Sequence, residues 1–143
     1  EEVLFVCVLK GSVFFACDLA KKYKGDARLD FLRVSSYEGT TSTGKINLKI
    51  ALKEENVTNR HVLIIEDIVD TGYTLEFLRN YIKEMNPKSL EECSLLNKQS
   101  RRIVPIAPKY IGFDIEDLFV IGYGLDYDEK YRNLPYIGVV SND

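Results

Sequence analysis

No apolar run in the 143-residue chain approaches the roughly 20 residues that cross a bilayer, which argues against a membrane-spanning protein. Nor is there a basic excess: the net charge of −3 gives no global field to hold a polyanion, which argues against nonspecific nucleic-acid binding. Cysteine is scarce. Cys7, Cys17 and Cys93 are odd in number, far apart and set among apolar residues, which suits reduced core thiols and a cytoplasmic chain better than a disulfide framework or a metal cluster. The opening EEVLFVCVLKGS has neither a basic region nor a small-residue cleavage site, so it is not a secretion signal. Two common phosphate fingerprints, G-x-x-x-x-G-K-[ST] and G-x-G-x-x-G, are absent as well.

What remains is an ordinary globular composition, 45% hydrophobic and 29% charged, in a chain the size of one domain. Residues 3–9 are almost wholly apolar and β-prone, and Gly11-Ser12 then opens a helical pattern over 13–23 with Phe14, Phe15, Leu19 and Tyr23 at roughly helical spacing. Because a core strand is entered at once, N-terminal residues of the natural protein are expected to be missing. A second strand is predicted over 29–35, a polar loop over 36–44 (SYEGTTSTG) and a half-exposed hairpin arm over 46–52. Residues 62–65 read as a buried strand, 71–85 as a helix with Leu75, Leu78 and Ile82 on one face, and 90–96 as another strand. After a basic turn at 98–102, shorter apolar runs follow at 110–113, 119–123 and 136–140. Continuous apolar strands alternating with helices predict an α/β fold with a mostly parallel sheet, whose ligands sit at the carboxyl ends of the strands.

The segment EDIVDTGYT at 66–74 lies at such an end. A helix start favours anions, so Thr71, Gly72 and Thr74 form a candidate phosphate loop, with Gly72 allowing close backbone approach. Three carboxylates, Glu66, Asp67 and Asp70, stand beside it. Adjacent acids at a strand end can accept hydrogen bonds from sugar hydroxyls or bind a hydrated Mg²⁺ through water. Equally, Asp70 or Thr71 could simply cap the helix on a solvated face.

The same nine residues resemble the phosphoribosyl-pyrophosphate (PRPP) signature of type I phosphoribosyltransferases, two acids followed by a hydrophobic pair and D-T/S-G-x-T. LKGS at 9–12 is similar to the first active-site loop of that family, Ser36-Tyr37 with STG at 42–44 to the mobile second loop, and FVIGYGLDY at 119–127 with YRNL at 131–134 to the base and pyrophosphate region of hypoxanthine-guanine phosphoribosyltransferases. The likeness runs over nearly the whole chain in matching order.

That resemblance implies the type I phosphoribosyltransferase fold over residues 1–143 as a single domain, a mostly parallel sheet flanked by helices with a mobile hairpin loop. It implies transfer of 5-phosphoribosyl from PRPP to hypoxanthine or guanine, with Mg²⁺ as cofactor, PRPP and a 6-oxopurine as partners, and a homo-oligomer, dimer or tetramer. Asp70 would be general base toward purine N7; Thr71, Gly72, Tyr73 and Thr74 would hold the 5-phosphate with it. Glu66 and Asp67 would face the ribose and metal shell. Lys10, Gly11 and Arg132 would hold pyrophosphate, Lys10-Gly11 through a non-proline cis bond. Lys98 would donate to the purine 6-oxo group, Lys109 being the rival for that role. Phe119, Val120 and Asp126 would complete the purine site, Asp126 also ligating a second Mg²⁺. Ser36, Tyr37, Ser42 and Thr43 would form the lid. Arg101 and Arg102 could serve pyrophosphate or a neighbouring subunit, Tyr123 and Tyr127 are read as packing, and His61 receives no role.

Overall fold

The computed structural model describes residues 2–36 and 46–141. Its centre is a six-stranded sheet in the order β3-β2-β1-β4-β5-β6. The strands are β1 (Val3–Leu9), β2 (Ala27–Ser36), β3 (Ile46–Ile50), β4 (His61–Val69), β5 (Ser89–Asn97) and β6 (Tyr110–Asp114). All neighbours run parallel except the edge strand β3, which pairs antiparallel with β2 as the alternating hairpin arm predicts.

Side-chain alternation along β1 divides the core. Leu4, Val6 and Val8 face one side with Val62 and Ile64 of β4, where Leu78 and Ile82 of helix α3 (Tyr73–Lys83) are wholly buried. Burying such side chains contributes about 1.5–3 kcal/mol each, so the periodic face at 75, 78 and 82 is what seats α3. Phe5, Cys7 and Ile65 face the other side, against Ala16, Phe15 and Leu19 of α1 (Val13–Lys22). Glu92, buried in β5, takes a two-pronged ion pair from Arg79 of α3 and ties that helix to the sheet.

Several boundaries differ from the sequence expectation. β4 does not stop at Ile65: pairing with β5 continues to Val69↔Asn97, so Glu66 and Asp67 lie inside a strand. A short helix α2 (Glu54–Val57) forms where the sequence pattern marks no element, and a 3-10 turn at Gln99–Arg101 lies within the basic turn expected at 98–102. The runs at 119–123 and 136–140 form a short ladder over β7 (Val120–Ile121) and β8 (Gly138–Val139), with Val140 N–H donating to the Phe119 carbonyl at 2.9 Å, while Tyr123 and Ile137 pack against Leu95, Leu96 and Leu125. Cys7 and Cys93 are buried thiols as expected, whereas Cys17 is exposed on the outer face of α1. Of the expected lid, Ser36 ends β2; Tyr37, Ser42 and Thr43 lie outside the described residues. No helix among the described residues is long and apolar enough to cross a membrane.

Candidate active site

Strand order reverses at β1, which lies between β2 and β4. Beyond the carboxyl ends of these strands a cavity of ≈ 440 Å³ opens, where doubly wound sheets hold ligands. It gathers Lys10 and Gly11 after β1, Glu66 to Asp70 at the end of β4, Thr71, Gly72 and Thr74 at the start of α3, and Asp126 and Arg132 from the C-terminal third. Arg33 and Val34 of β2 also line it. Nothing in the local sequence marks those two; only the β1–β2 pairing brings them there. Tyr73, Lys98, Phe119 and Val120 are not part of this wall.

The helix start differs from expectation. Neither Asp70 nor Thr71 caps α3: Gly72 is the N-cap residue, left-handed at φ +97, and its carbonyl accepts from Glu76 N–H at 3.0 Å. A Cβ there would lie 2.9 Å from Ile106 Cγ2 and 3.1 Å from Arg102 Cδ, so conformation and crowding both demand glycine. The first-turn N–H groups of α3 have no intrahelical acceptor and face the cavity end of the helix, a site disposed toward an anion. Behind them the Thr71 carbonyl accepts from Ile103 and Val104 N–H at 2.9 and 3.1 Å, which braces the loop.

Glu66 is only 5% exposed. Burial, reinforced by the neighbouring Asp67 charge, pushes its carboxyl well above the usual carboxylate range. Burial also raises Asp67, partly offset by Ile68 N–H donating to its Oδ1 at 2.8 Å. Among the described residues Glu66 has no ion-pair partner, and no set of three or more side chains forms a preassembled metal cage. Paired, poorly compensated acids opening onto a cavity fit a Mg²⁺ ion that keeps most of its ligands as water and substrate oxygens.

Gly11 packs against these acids. A Cβ on Gly11 would fall 1.9 Å from Asp67 Oδ2. On its other side, a Cβ on Gly124 (φ +101) would meet the Gly11 carbonyl at 2.1 Å. The turn carrying Asp126 is thereby pressed onto the loop after β1. The cis peptide bond of that loop is Leu9–Lys10, one bond earlier than the expected Lys10–Gly11; a non-proline sequence carries no signal of its isomer. Lys10 Nζ pairs with Glu129 at 3.2 Å.

Arg132 holds the 124–129 turn: it donates to the Gly124 carbonyl at 2.6 Å and Glu129 at 3.2 Å, and approaches Asp126 at 3.6 Å. Its Nε is buried with no partner among the described residues, a donor left over for an anion. The Glu129 N–H donates to Asp126 Oδ2 at 2.9 Å. Tyr123 does more than pack: its hydroxyl donates to Asp18 of α1 and its ring stacks on Phe14 at 6.4 Å. Burial and the Asp18 carboxylate push its phenol up to about 12.

Arg101 and Arg102 turn toward Asp70, 31 and 32 residues earlier in the chain. Arg101 Nε donates to Asp70 Oδ1 at 2.6 Å, and this bond raises the affinity of the guanidinium for its proton. Arg102 Nε donates to the Asp70 carbonyl at 3.0 Å while its other nitrogens reach the Ile106 carbonyl and Asn97. Sequence spacing gave no hint of this link.

Lys98 is nearly buried and fixed at the end of β4, its N–H donating to the Val69 carbonyl at 2.9 Å and its Nζ 3.5 Å from Asp117. Lys109, the rival lysine, is instead paired with Glu91 at 3.3 Å over the Tyr110 ring, outside the cavity wall. Phe119 is 53% exposed and meets Tyr127 edge-on at 5.5 Å. His61 sits at the opposite end of β4, its Nδ1 2.6 Å from the Ser89 hydroxyl.

Comparison with known proteins follows the same lines. The sequence model of the phosphoribosyl transferase domain matches residues 1–128. A hypoxanthine-guanine phosphoribosyltransferase of Streptococcus pneumoniae is 46% identical over 141 residues, covering 98% of this chain and 78% of the relative. One from Mycobacterium bovis is 41% identical over 140 residues, covering 98% and 69%. Among solved structures, a hypoxanthine-guanine phosphoribosyltransferase of Bacillus anthracis with HEPES in its active site superposes with a TM-score of 0.91 at 45% identity, over 99% of this chain and 83% of that one. A hypoxanthine phosphoribosyl transferase of Trypanosoma cruzi, studied for the role of its C-terminal region in oligomeric state and activity, gives 0.91 at 39% identity, over 99% and 74%.

Proposed function

The chain belongs to the phosphoribosyl transferase family, and from that premise we propose that it is a purine-salvage enzyme transferring 5-phosphoribosyl from PRPP to hypoxanthine or guanine. N9 of the base attacks C1 of the sugar as the bond from C1 to pyrophosphate breaks, and the purine N7 proton passes to Asp70. IMP or GMP and pyrophosphate result. The observation that carries this reading is a cavity in which an anion-seeking helix start, the carboxylates Glu66 and Asp67 of β4 with Asp70 just beyond it, and an arginine with an unspent donor converge.

In this reading the N–H groups and hydroxyls of Thr71, Gly72, Tyr73 and Thr74 take the 5-phosphate. Glu66 and Asp67 accept from the ribose hydroxyls, so the acids stand where the phosphate is not. Lys10, Gly11 and Arg132 receive pyrophosphate. Lys98 donates to the 6-oxo group, an arrangement that opposes donor to donor when adenine is offered. Phe119 stacks on the base and Val120 presents backbone groups to its edge. Glu66, Asp67 and Asp126 would hold Mg²⁺, which when bound supplies positive charge to the departing pyrophosphate. Ser36, Tyr37, Ser42 and Thr43 would close over the sugar and exclude water. Residues 1–143 would act as one domain, in the cytoplasm, assembled as a dimer or tetramer.

The test is direct: incubate the protein with PRPP, Mg²⁺ and, separately, hypoxanthine, guanine, xanthine and adenine, and assay nucleotide and pyrophosphate. Nucleotide is expected with the first two and not with adenine; absence of product with every base would end the enzyme reading. Asp70→Asn should lower kcat on the order of 10²- to 10⁴-fold with PRPP binding retained.

A further inference from the structure

One carboxylate oxygen of Asp70 is already taken. Arg101 Nε lies 2.6 Å from Asp70 Oδ1, and both groups are open to solvent, the side chains 47% and 32% exposed. A second carboxylate stands within reach: Arg101 Nη1 is 3.6 Å from Asp117 Oδ2. The other oxygen of Asp117 is 3.5 Å from Lys98 Nζ. Four alternating charges, Asp70, Arg101, Asp117 and Lys98, therefore form one chain joining the base acceptor to the 6-oxo donor.

The backbone under this chain is fixed while its tips are not. The 3-10 turn is closed by Arg101 N–H to the Lys98 carbonyl and Arg102 N–H to the Gln99 carbonyl, each at 3.1 Å. Arg102 independently holds the Asp70 carbonyl, so the acid stays in place when Arg101 lets go. Only the guanidinium of Arg101 must pivot, between two acids whose distances from it differ by about an ångström.

Resting on the assignment of Asp70 as base and Lys98 as 6-oxo donor, we propose that Arg101 is a positioning residue that occupies Asp70 until a purine arrives, and that Asp117 is its second seat. An incoming base draws Lys98 to its 6-oxo group, which leaves Asp117 short of a cation. Arg101 moves over to Asp117, and Asp70 Oδ1 is freed for N7–H. The contact of Arg101 with Asp117 is kept and tightened, and the two ion pairs given up, Asp70–Arg101 and Asp117–Lys98, are replaced by hydrogen bonds to the base, so the exchange couples recognition at C6 to readiness at N7.

The test is a double-mutant cycle read in steady-state kinetics. An exposed ion pair of this kind changes an equilibrium by at most about fivefold. Arg101→Gln should lower the KM for hypoxanthine by about two- to fivefold without moving the KM for PRPP, and Arg101→Lys, which restores a cation, should return it toward the wild-type value. Asp117→Asn, which pins Arg101 on Asp70, should raise the hypoxanthine KM severalfold, and most of that rise should vanish in the Arg101→Gln background. Independent, multiplying effects of the two substitutions would overturn the proposal, as would an Arg101→Gln protein altered only in thermal stability. The underlying assignment fails separately: wild-type kcat in Asp70→Asn removes the base itself, whereas a slow Asp70→Asn with an additive cycle removes only the role of Arg101.

Discussion

Gly11→Ala is the most demanding test of the site, because the structure fixes what the added methyl meets. Its Cβ would sit 1.9 Å from Asp67 Oδ2 and 2.7 Å from Cγ. An ordinary contact begins near 3.4 Å, so the oxygen must retreat by about 1.5 Å. The retreat is by side-chain rotation and is therefore affordable, but it disturbs the bond from Ile68 N–H to Asp67 Oδ1, a charge-assisted contact worth about 1.5–3 kcal/mol. Displacement of a substrate-positioning group by an ångström or more costs on the order of 10²-fold in rate, about 2.7 kcal/mol. The expected result is a fall of that size in kcat/KM for PRPP with a cooperative melt retained. In an Asp67→Ala background, where the clashing carboxylate is gone, the further loss on adding Gly11→Ala should shrink below about threefold. Near wild-type kcat/KM in Gly11→Ala, or an undiminished loss in the Asp67→Ala background, would refute the reasoning that Gly11 acts through Asp67.

Three further outcomes follow from the same geometry. Glu66 holds its proton in the folded chain to a higher pH than the ordinary 4.5, so its ionisation opposes folding at neutral pH; Glu66→Gln should raise the Tm at pH 7–8, the gain should fade as pH falls below 4.5, and activity should drop. An equal Tm difference at both pH values would contradict the burial argument. Lys98→Ala should lose most of the preference for 6-oxopurines over adenine, and an unaltered preference would remove Lys98 from that role. Absorbance titration should reveal a phenol ionising near about 12 that disappears in Tyr123→Phe; no change in the titration curve between the two proteins would mean that Asp18 and burial do not act on it.

The sequence conveyed more of the architecture than of the wiring. β1 is legible because a strand covered on both faces is apolar throughout, and α3 because its buried positions recur at helical spacing. Acids at 66 and 67 look like the end of β4, whereas pairing with β5 carries the ladder on to Val69. The cap fell on Gly72 because a left-handed residue, not a side-chain acceptor, starts α3. The contact of Arg101 with Asp70, and the closeness of Gly124 to Gly11, follow from topology and have no local period to betray them. Cys17 shows the limit of reading burial from neighbours in sequence, since a helix turns one position in a run of apolar residues outward.

The sheet order has a consequence for how the site comes into existence. The cavity draws on Lys10, Arg33, Asp67, Thr74 and Asp126, and the strands that bring them together are parallel neighbours closed only by long crossovers. Such pairings form late, after the entropy of large loops has been lost. A nascent or partly unfolded chain therefore holds the EDIVDTGYT segment without the groups that complete its cavity. Substrate affinity becomes a report on complete folding, and a nucleotide or PRPP in solution would act as a selective stabiliser of the finished molecule alone.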